Sequence, residues 1–178
     1  MNIRPLNWKD LAFLVEVRNE CREHLHNNAK FTLEEALEWY FCTTPKFFMI
    51  EEQTTPIGYF RTSNWDIQNG HVTVGMDLHV DYRGKHLSKS LYIAFMHTLF
   101  KEFQFHKLDL EVLEGNSRAM QLYLDLGFKV DGYKRDEIKR DKCYHTSVVM
   151  SILKEEFYEN TSADVILQST RSHSTCLD

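Results

Sequence analysis

Asp81-Tyr82-Arg83-Gly84-Lys85-His86-Leu87-Ser88, then a long helical pattern, then Leu110-Glu111-Val112 and Asn116 to Phe128: the fold turns on this stretch. The first eight residues follow a strand pattern and precede a helix pattern, with Gly84 at the bend. A strand, a tight turn and a helix in that order aim several backbone N–H groups and the positive end of a helix at one point, which suits an anion such as a phosphate. Arg83, Lys85 and Lys89 add a local basic patch beside the turn.

Outward from the turn, His71 to His79 alternates at Val72, Val74, Met76 and Leu78, the period of a strand with one buried face. Downstream, Leu91, Tyr92, Phe95, Met96, Leu99, Phe100 and Phe103 recur at three- and four-residue steps, as a helix packed on a sheet requires, and Ser88 is placed to cap it. Leu108 to Leu113 is a further strand. Asn116 opens a short helix through Leu126, with Gly127 as its left-handed terminal residue. Phe128 to Tyr133 and Tyr144 to Leu153 are the closing strands, joined by a charged loop around Arg135 to Asp141.

Upstream, Ile3 to Leu6 is a short apolar start, and Asn7 with Asp10 marks a helix N-terminus whose stripe runs Leu11, Leu14, Val15, Arg18, Cys21, Leu25. Thr32 and Glu35 form a capping box for a second helix, which Thr43-Thr44-Pro45 ends. Phe47 to Glu51 and Ile57 to Thr62 are an antiparallel hairpin. Helices alternating with strands that are mostly hairpin-connected define an α/β (α+β) fold with a mixed, mostly antiparallel central sheet flanked by helices. Residues 1–158 are expected to form one domain, and the Ser/Thr-rich segment 159–178 a mobile tail with an apolar island at Val165 to Leu167.

Composition narrows the function. With 178 residues, 43% of them hydrophobic, the chain supports one sizeable core. Twenty-one basic against 26 acidic residues leave a net charge of -5, which argues against nucleic-acid binding through a general positive field. No apolar run approaches the ~20 residues that span a bilayer. Cys21, Cys42, Cys143 and Cys176 are scattered without a C-x-x-C pair, so neither a disulfide framework nor a zinc site is expected, and a cytoplasmic setting fits. His24-x-His26 sends its side chains to different sides of a helix, and no metal site is expected there either. A homodimer is left open.

Two segments together resemble the GCN5-related N-acetyltransferase superfamily, across roughly residues 2 to 153. Tyr82 to Ser88 looks like that family's pyrophosphate loop, with Arg83 in place and His86 and Ser88 at its two small-residue positions. Asn116-x-x-Ala119-x-x-x-Tyr123-x-x-x-Gly127-Phe128 looks like its second cofactor segment, and is the more specific match. The resemblance implies an acyl-CoA N-acyltransferase fold and acetyl-CoA as co-substrate. It implies cofactor contacts from Met76, Leu78, Arg83, Gly84, Lys85, His86, Leu87, Ser88, Asn116 and Tyr123, and transfer of the acetyl group to a primary amine.

That chemistry needs a group to take the ammonium proton and one to protonate the departing thiolate. Glu111 and Tyr123, twelve residues apart, resemble the glutamate and tyrosine of bacterial N-terminal alanine acetyltransferases, which makes Glu111 the base and Tyr123 the acid. A tyrosine with a solution pKa near ~10 is matched to a thiolate. An outward-facing strand carboxylate and a packed helix tyrosine are the plainer readings of the same residues. Asp77 and His79 are reserve bases. Trp39 fits core packing, while Trp65, in a polar loop, suits acceptor binding.

Arg18-Asn19 followed by Glu38-Trp39 resembles the branch holding ribosomal-protein, polyamine and nucleotide-amino-sugar acetyltransferases. On that pairing the expected acceptor is a small soluble amine such as a nucleotide-linked amino sugar, with a protein N-terminus or a polyamine as the alternative. The reading from another class is a non-catalytic acyl-CoA-binding module, motivated by the side chains at His86 and Ser88.

Overall fold

In a computed structural model the chain is described over residues 1–43 and 45–161. Seven strands form one sheet in the order β1-β2-β3-β4-β5-β7-β6. They are β1 (Asn2–Pro5), β2 (Phe48–Glu52), β3 (Thr55–Asp66), β4 (His71–Leu78), β5 (Lys107–Leu113), β6 (Lys129–Arg140) and β7 (Cys143–Leu153). All neighbours are antiparallel except β4 and β5. The helices are α1 (Leu11–Cys21), α2 (Leu33–Thr43), α3 (Leu87–Lys101) and α4 (Ser117–Asp125), with a last helix over 154–161.

Strand alternation sorts side chains to two cores. Met49 and Tyr59, partners across β2 and β3, face α1 and α2 with Leu11, Leu14, Val17 and Ala36. Ile50 and Phe60, one residue on, face the other way into α3 and α4. There Phe60 stacks on Phe95 with ring centroids 4.1 Å apart, and both are fully buried. The α3 stripe is buried as its period predicts, apart from Phe103, which lies past the helix and is exposed.

Both expected N-terminal signals operate. Asn7 and Asp10 make a reciprocal capping box, although the first turn it opens is 3-10 and α1 begins at Leu11. Thr32 accepts from Glu35 N at 3.2 Å, and Glu35 Oε2 accepts from Thr32 N at 2.7 Å. Gly127 holds φ +92, and a Cβ there would fall 2.3 Å from Asn160 Nδ2. Two expectations fail. Val17, not Val15, is the buried valine of α1, and Arg18 turns out of the stripe to lie over the Phe31 ring at 4.8 Å. The charged segment Arg135 to Asp141 is no loop, since β6 runs to Arg140 and pairs with β7 down to Cys143. Its charges decorate an exposed edge strand, where they oppose pairing with other chains.

The tail expected from Glu159 is helical as far as residue 161, and the rest of it, with Val165 to Leu167, lies outside the described residues. Among the described residues no helix is long and apolar enough to cross a membrane.

Candidate active site

The site begins where the sheet splits. Strands β4 and β5 pair only from His71↔Lys107 to Thr73↔Asp109 and then separate. Between them lies a cleft of about 640 Å³, walled by Met76, Asp77 and Leu78 of β4, Glu111 and Val112 of β5, and the first turns of α3 and α4. The segment before α3 closes one end.

At that end the backbone does the shaping. Gly84 at φ +77 and His86 at φ +59 are both left-handed, which places His86 as the N-terminal flanking residue of α3. A residue with a Cβ holds that conformation at a cost of about 1 kcal/mol. No side chain caps α3, so its first N–H groups lack the carbonyl partners that later residues have and face an incoming anion. Ser88 therefore does not cap the helix as its position suggested; it sits inside the first turn and lines the cleft. Gly84 and His86 line it too. Lys85 and Leu87 do not: Lys85 lies over the Tyr82 ring at 4.9 Å, and Leu87 packs on the core.

Arg83 faces the cleft, but its guanidinium is tied down. Nε donates to Leu78 O at 2.8 Å and Nη2 to Glu20 Oε2 at 3.0 Å, pinning the end of β4 to α1. The carbonyl of Leu78, one of the residues expected to contact the cofactor, is thereby engaged by Arg83. Beside Arg83, the Cys21 thiol has its pKa pushed up to about 12 by burial. Across the turn, Arg118 Nη2 lies 3.9 Å from where a Cβ on Gly84 would be, a second cation that the sequence reading missed. Asn116 caps α4, accepting from Ala119 N at 3.2 Å, and it also lines the cleft.

The opposite end is built from side chains. Tyr123 of α4 reaches Tyr92 of α3, hydroxyl to hydroxyl, at 3.5 Å. Burial raises the Tyr123 pKa, and the Tyr92 hydrogen bond and the Arg61 charge partly offset it. Arg61, overlooked in the sequence, crosses its strand partner Gly75 to pair with Asp77 at 2.8 Å. A Cβ on Gly75 would lie 2.8 Å from Arg61 Nη2, so that glycine is what lets the guanidinium through. Burial works most strongly against the charge of Arg61, and Asp77 together with Tyr59, Tyr123 and Tyr92 outweighs it, leaving its pKa raised. Asp77 itself is only 5% exposed.

Glu111 points outward from β5 into the cleft mouth, where Lys134 Nζ pairs with its Oε1. The same ammonium reaches Glu137 Oε1 at 3.3 Å, and its pKa is raised by the Glu111 contact first of all. His26 Nε2 lies 3.8 Å from Glu111 Oε2 and 2.9 Å from Ser147 Oγ. Burial lowers the His26 pKa despite Glu111. The loop carrying His24, Leu25 and His26 is clasped from β6, because Arg140 donates to Glu23 O at 2.7 Å and to Leu25 O.

Several sequence candidates sit elsewhere. His79 is outside the cleft, 3.8 and 3.7 Å from Glu16 and Glu20 of α1. Trp65 is packed edge-on against Phe103 and Phe105, with Lys46 over its face at 4.1 Å, so it does not border the cleft. Trp39 packs against Phe31 and Phe47, as expected of a core residue. Arg18 and Asn19 hold the α1–α2 loop. Arg18 donates to Ala29 O at 2.9 Å, and Asn19 exchanges two 2.8 Å bonds with the Phe31 backbone.

A parallel pair that splays, with an uncapped helix at one end of the split and titratable groups at the other, is the arrangement that the resemblance to acyl-CoA-dependent acyltransferases implies. The family model for the acetyltransferase (GNAT) family matches residues 11–128, and the chain belongs to that family. It is an acetyl-CoA-dependent N-acetyltransferase. Its fold is shared with a spermidine N-acetyltransferase from Vibrio cholerae, solved with CoA and spermine (TM-score 0.82, 20% identity, 88% of this chain and 97% of that one). A ribosomal-protein-alanine N-acetyltransferase from Brucella melitensis is similar too (TM-score 0.73, 17% identity, 86% and 99%). No curated protein matches the sequence significantly.

Proposed function

We propose that this acetyltransferase acts on an aliphatic primary amine of the polyamine class, ahead of the nucleotide-linked amino sugar suggested by Arg18, Asn19 and Trp39. Those three residues are engaged in holding a loop and a core, which removes the ground for the sugar. The observation that carries the proposal is the carboxylate pair Glu111 and Glu137 at the acceptor end, which already binds an ammonium, that of Lys134. An incoming ammonium needs the same neutralisation, by charge-assisted hydrogen bonds. The spermidine acetyltransferase among the similar folds supports the same class.

In this reading the N–H groups at the start of α3, with Gly84, Ser88 and Asn116, hold the phosphates and arm of CoA. The acceptor ammonium enters beside Glu111, loses its proton on that side of the cleft, and attacks the thioester carbonyl. Tyr123 protonates the leaving thiolate. Thiol release with acetyl-CoA and spermidine, a nucleotide amino sugar, or a peptide with a free N-terminus tests it. Turnover is expected with spermidine; turnover with the sugar or peptide alone would overturn the polyamine assignment.

A further inference from the structure

Resting on the acetyl-transfer reading, we infer that His26 is the group that takes the ammonium proton, with Glu111 holding the imidazolium that results. Two of the three carboxylates lining the cleft carry a fixed cation, Arg61 on Asp77 and Lys134 on Glu111, and the third, Asp125, is held by Gln121 on its own helix. His26 is a cleft-lining base that carries none, and it stands on the loop that closes the acceptor end.

His26 Nε2 lies 2.9 Å from the Oγ of Ser147, a fully buried residue. In the inferred tautomer Nε2–H donates to that hydroxyl, which leaves the lone pair on Nδ1 to accept a proton. Three strands face the ring: Glu111 from β5, Lys134 and Glu137 from β6, and Ser147 from β7, with Arg61 of β3 further off. Burial, Arg61 and Lys134 keep the imidazole neutral before reaction, while Glu111 and Glu137 favour the cation formed during it. This is the arrangement of a base oriented by a third group.

The protons balance as follows in the transfer. The ammonium gives one proton to His26 Nδ1, and the free amine forms the N–C bond. The C–S bond breaks, Tyr123 protonates the thiolate and recovers its proton from the new amide nitrogen. His26 then releases its proton to water.

His26→Gln keeps a polar side chain but cannot titrate. With spermidine and acetyl-CoA, the wild-type kcat should rise with pH through a midpoint below ~6.5 and level off, because the neutral ring is the active form. The variant should lose about 10²-fold in kcat together with that acid limb. An unchanged rate and limb in His26→Gln would overturn the assignment. Imidazole NMR of the wild type, with the variant identifying the His26 signal, tests it without turnover: a midpoint above ~6.5 would overturn it even if no amine is acetylated. Absence of thiol release with every amine, by contrast, would sink the acetyl-transfer reading itself.

Discussion

The two ends of the cleft are made differently. The cofactor end is backbone: uncapped N–H groups, two left-handed residues and the Asn116 cap, all within short sequence distance. The acceptor end is side chain, assembled from residues far apart in the chain: Arg61 on Asp77, Glu111 under Lys134, His26 on Ser147. Backbone sites tolerate substitution, because any residue supplies an N–H. Side-chain networks do not, since each partner removed leaves another unpaired.

Asp77→Ala should strike hardest. It leaves the Arg61 guanidinium beside the sheet core without its partner, and about 3 kcal/mol of stability should go, the low end for a broken buried pair because Arg61 is 39% exposed. Denaturant unfolding measures it, and a loss under about 1 kcal/mol would mean the pair is no more than a surface contact. Tyr123→Phe comes next, with kcat down about 10²-fold and CoA affinity nearly unchanged by calorimetry. Weaker CoA binding with unchanged kcat would move Tyr123 from the acceptor end to the cofactor end.

His86→Gly probes the backbone end. Relief of the left-handed Cβ, less the entropy of glycine, should raise stability by about 0.5 kcal/mol, and CoA should bind no more weakly. A large loss of CoA affinity would show the imidazole itself at work there. Lys134→Met should change stability by less than about 1 kcal/mol, because the pair it breaks is largely solvated. If thermal unfolding shifts much more, the acceptor end is a structural cluster first.

The same division explains what the sequence disclosed. The α3 stripe as far as Phe100, the Thr32–Glu35 box and the Asn116 to Phe128 segment are local patterns, and each stands where its spacing put it. The turn at Gly84 was legible for that reason as well. Arg61 was not, because its role depends on Gly75, a cross-strand neighbour that only the register reveals. His26 was set aside with its neighbour His24 as a failed metal pair, whereas its partners lie over eighty residues away, on β5 and β7. The charged run Arg135 to Asp141 read as a loop because an exposed edge strand has no apolar face to give it a period. Arg18 and Asn19 were visible but misleading: their side chains serve the local chain, and polar residue types alone do not tell a loop anchor from a binding residue.

Strand β7 lies between β5 and β6 in the sheet, although it is the last of the seven to be made. During synthesis the Gly84 turn and α3 leave the ribosome well ahead of it, and β5 waits without its antiparallel partner until Cys143–Leu153 arrives. Ser147 and the Arg140 clasp arrive at the same late moment. A nascent chain halted before β7 therefore has the phosphate turn but no acceptor pocket, so the two ends of the cleft are acquired at different moments of synthesis.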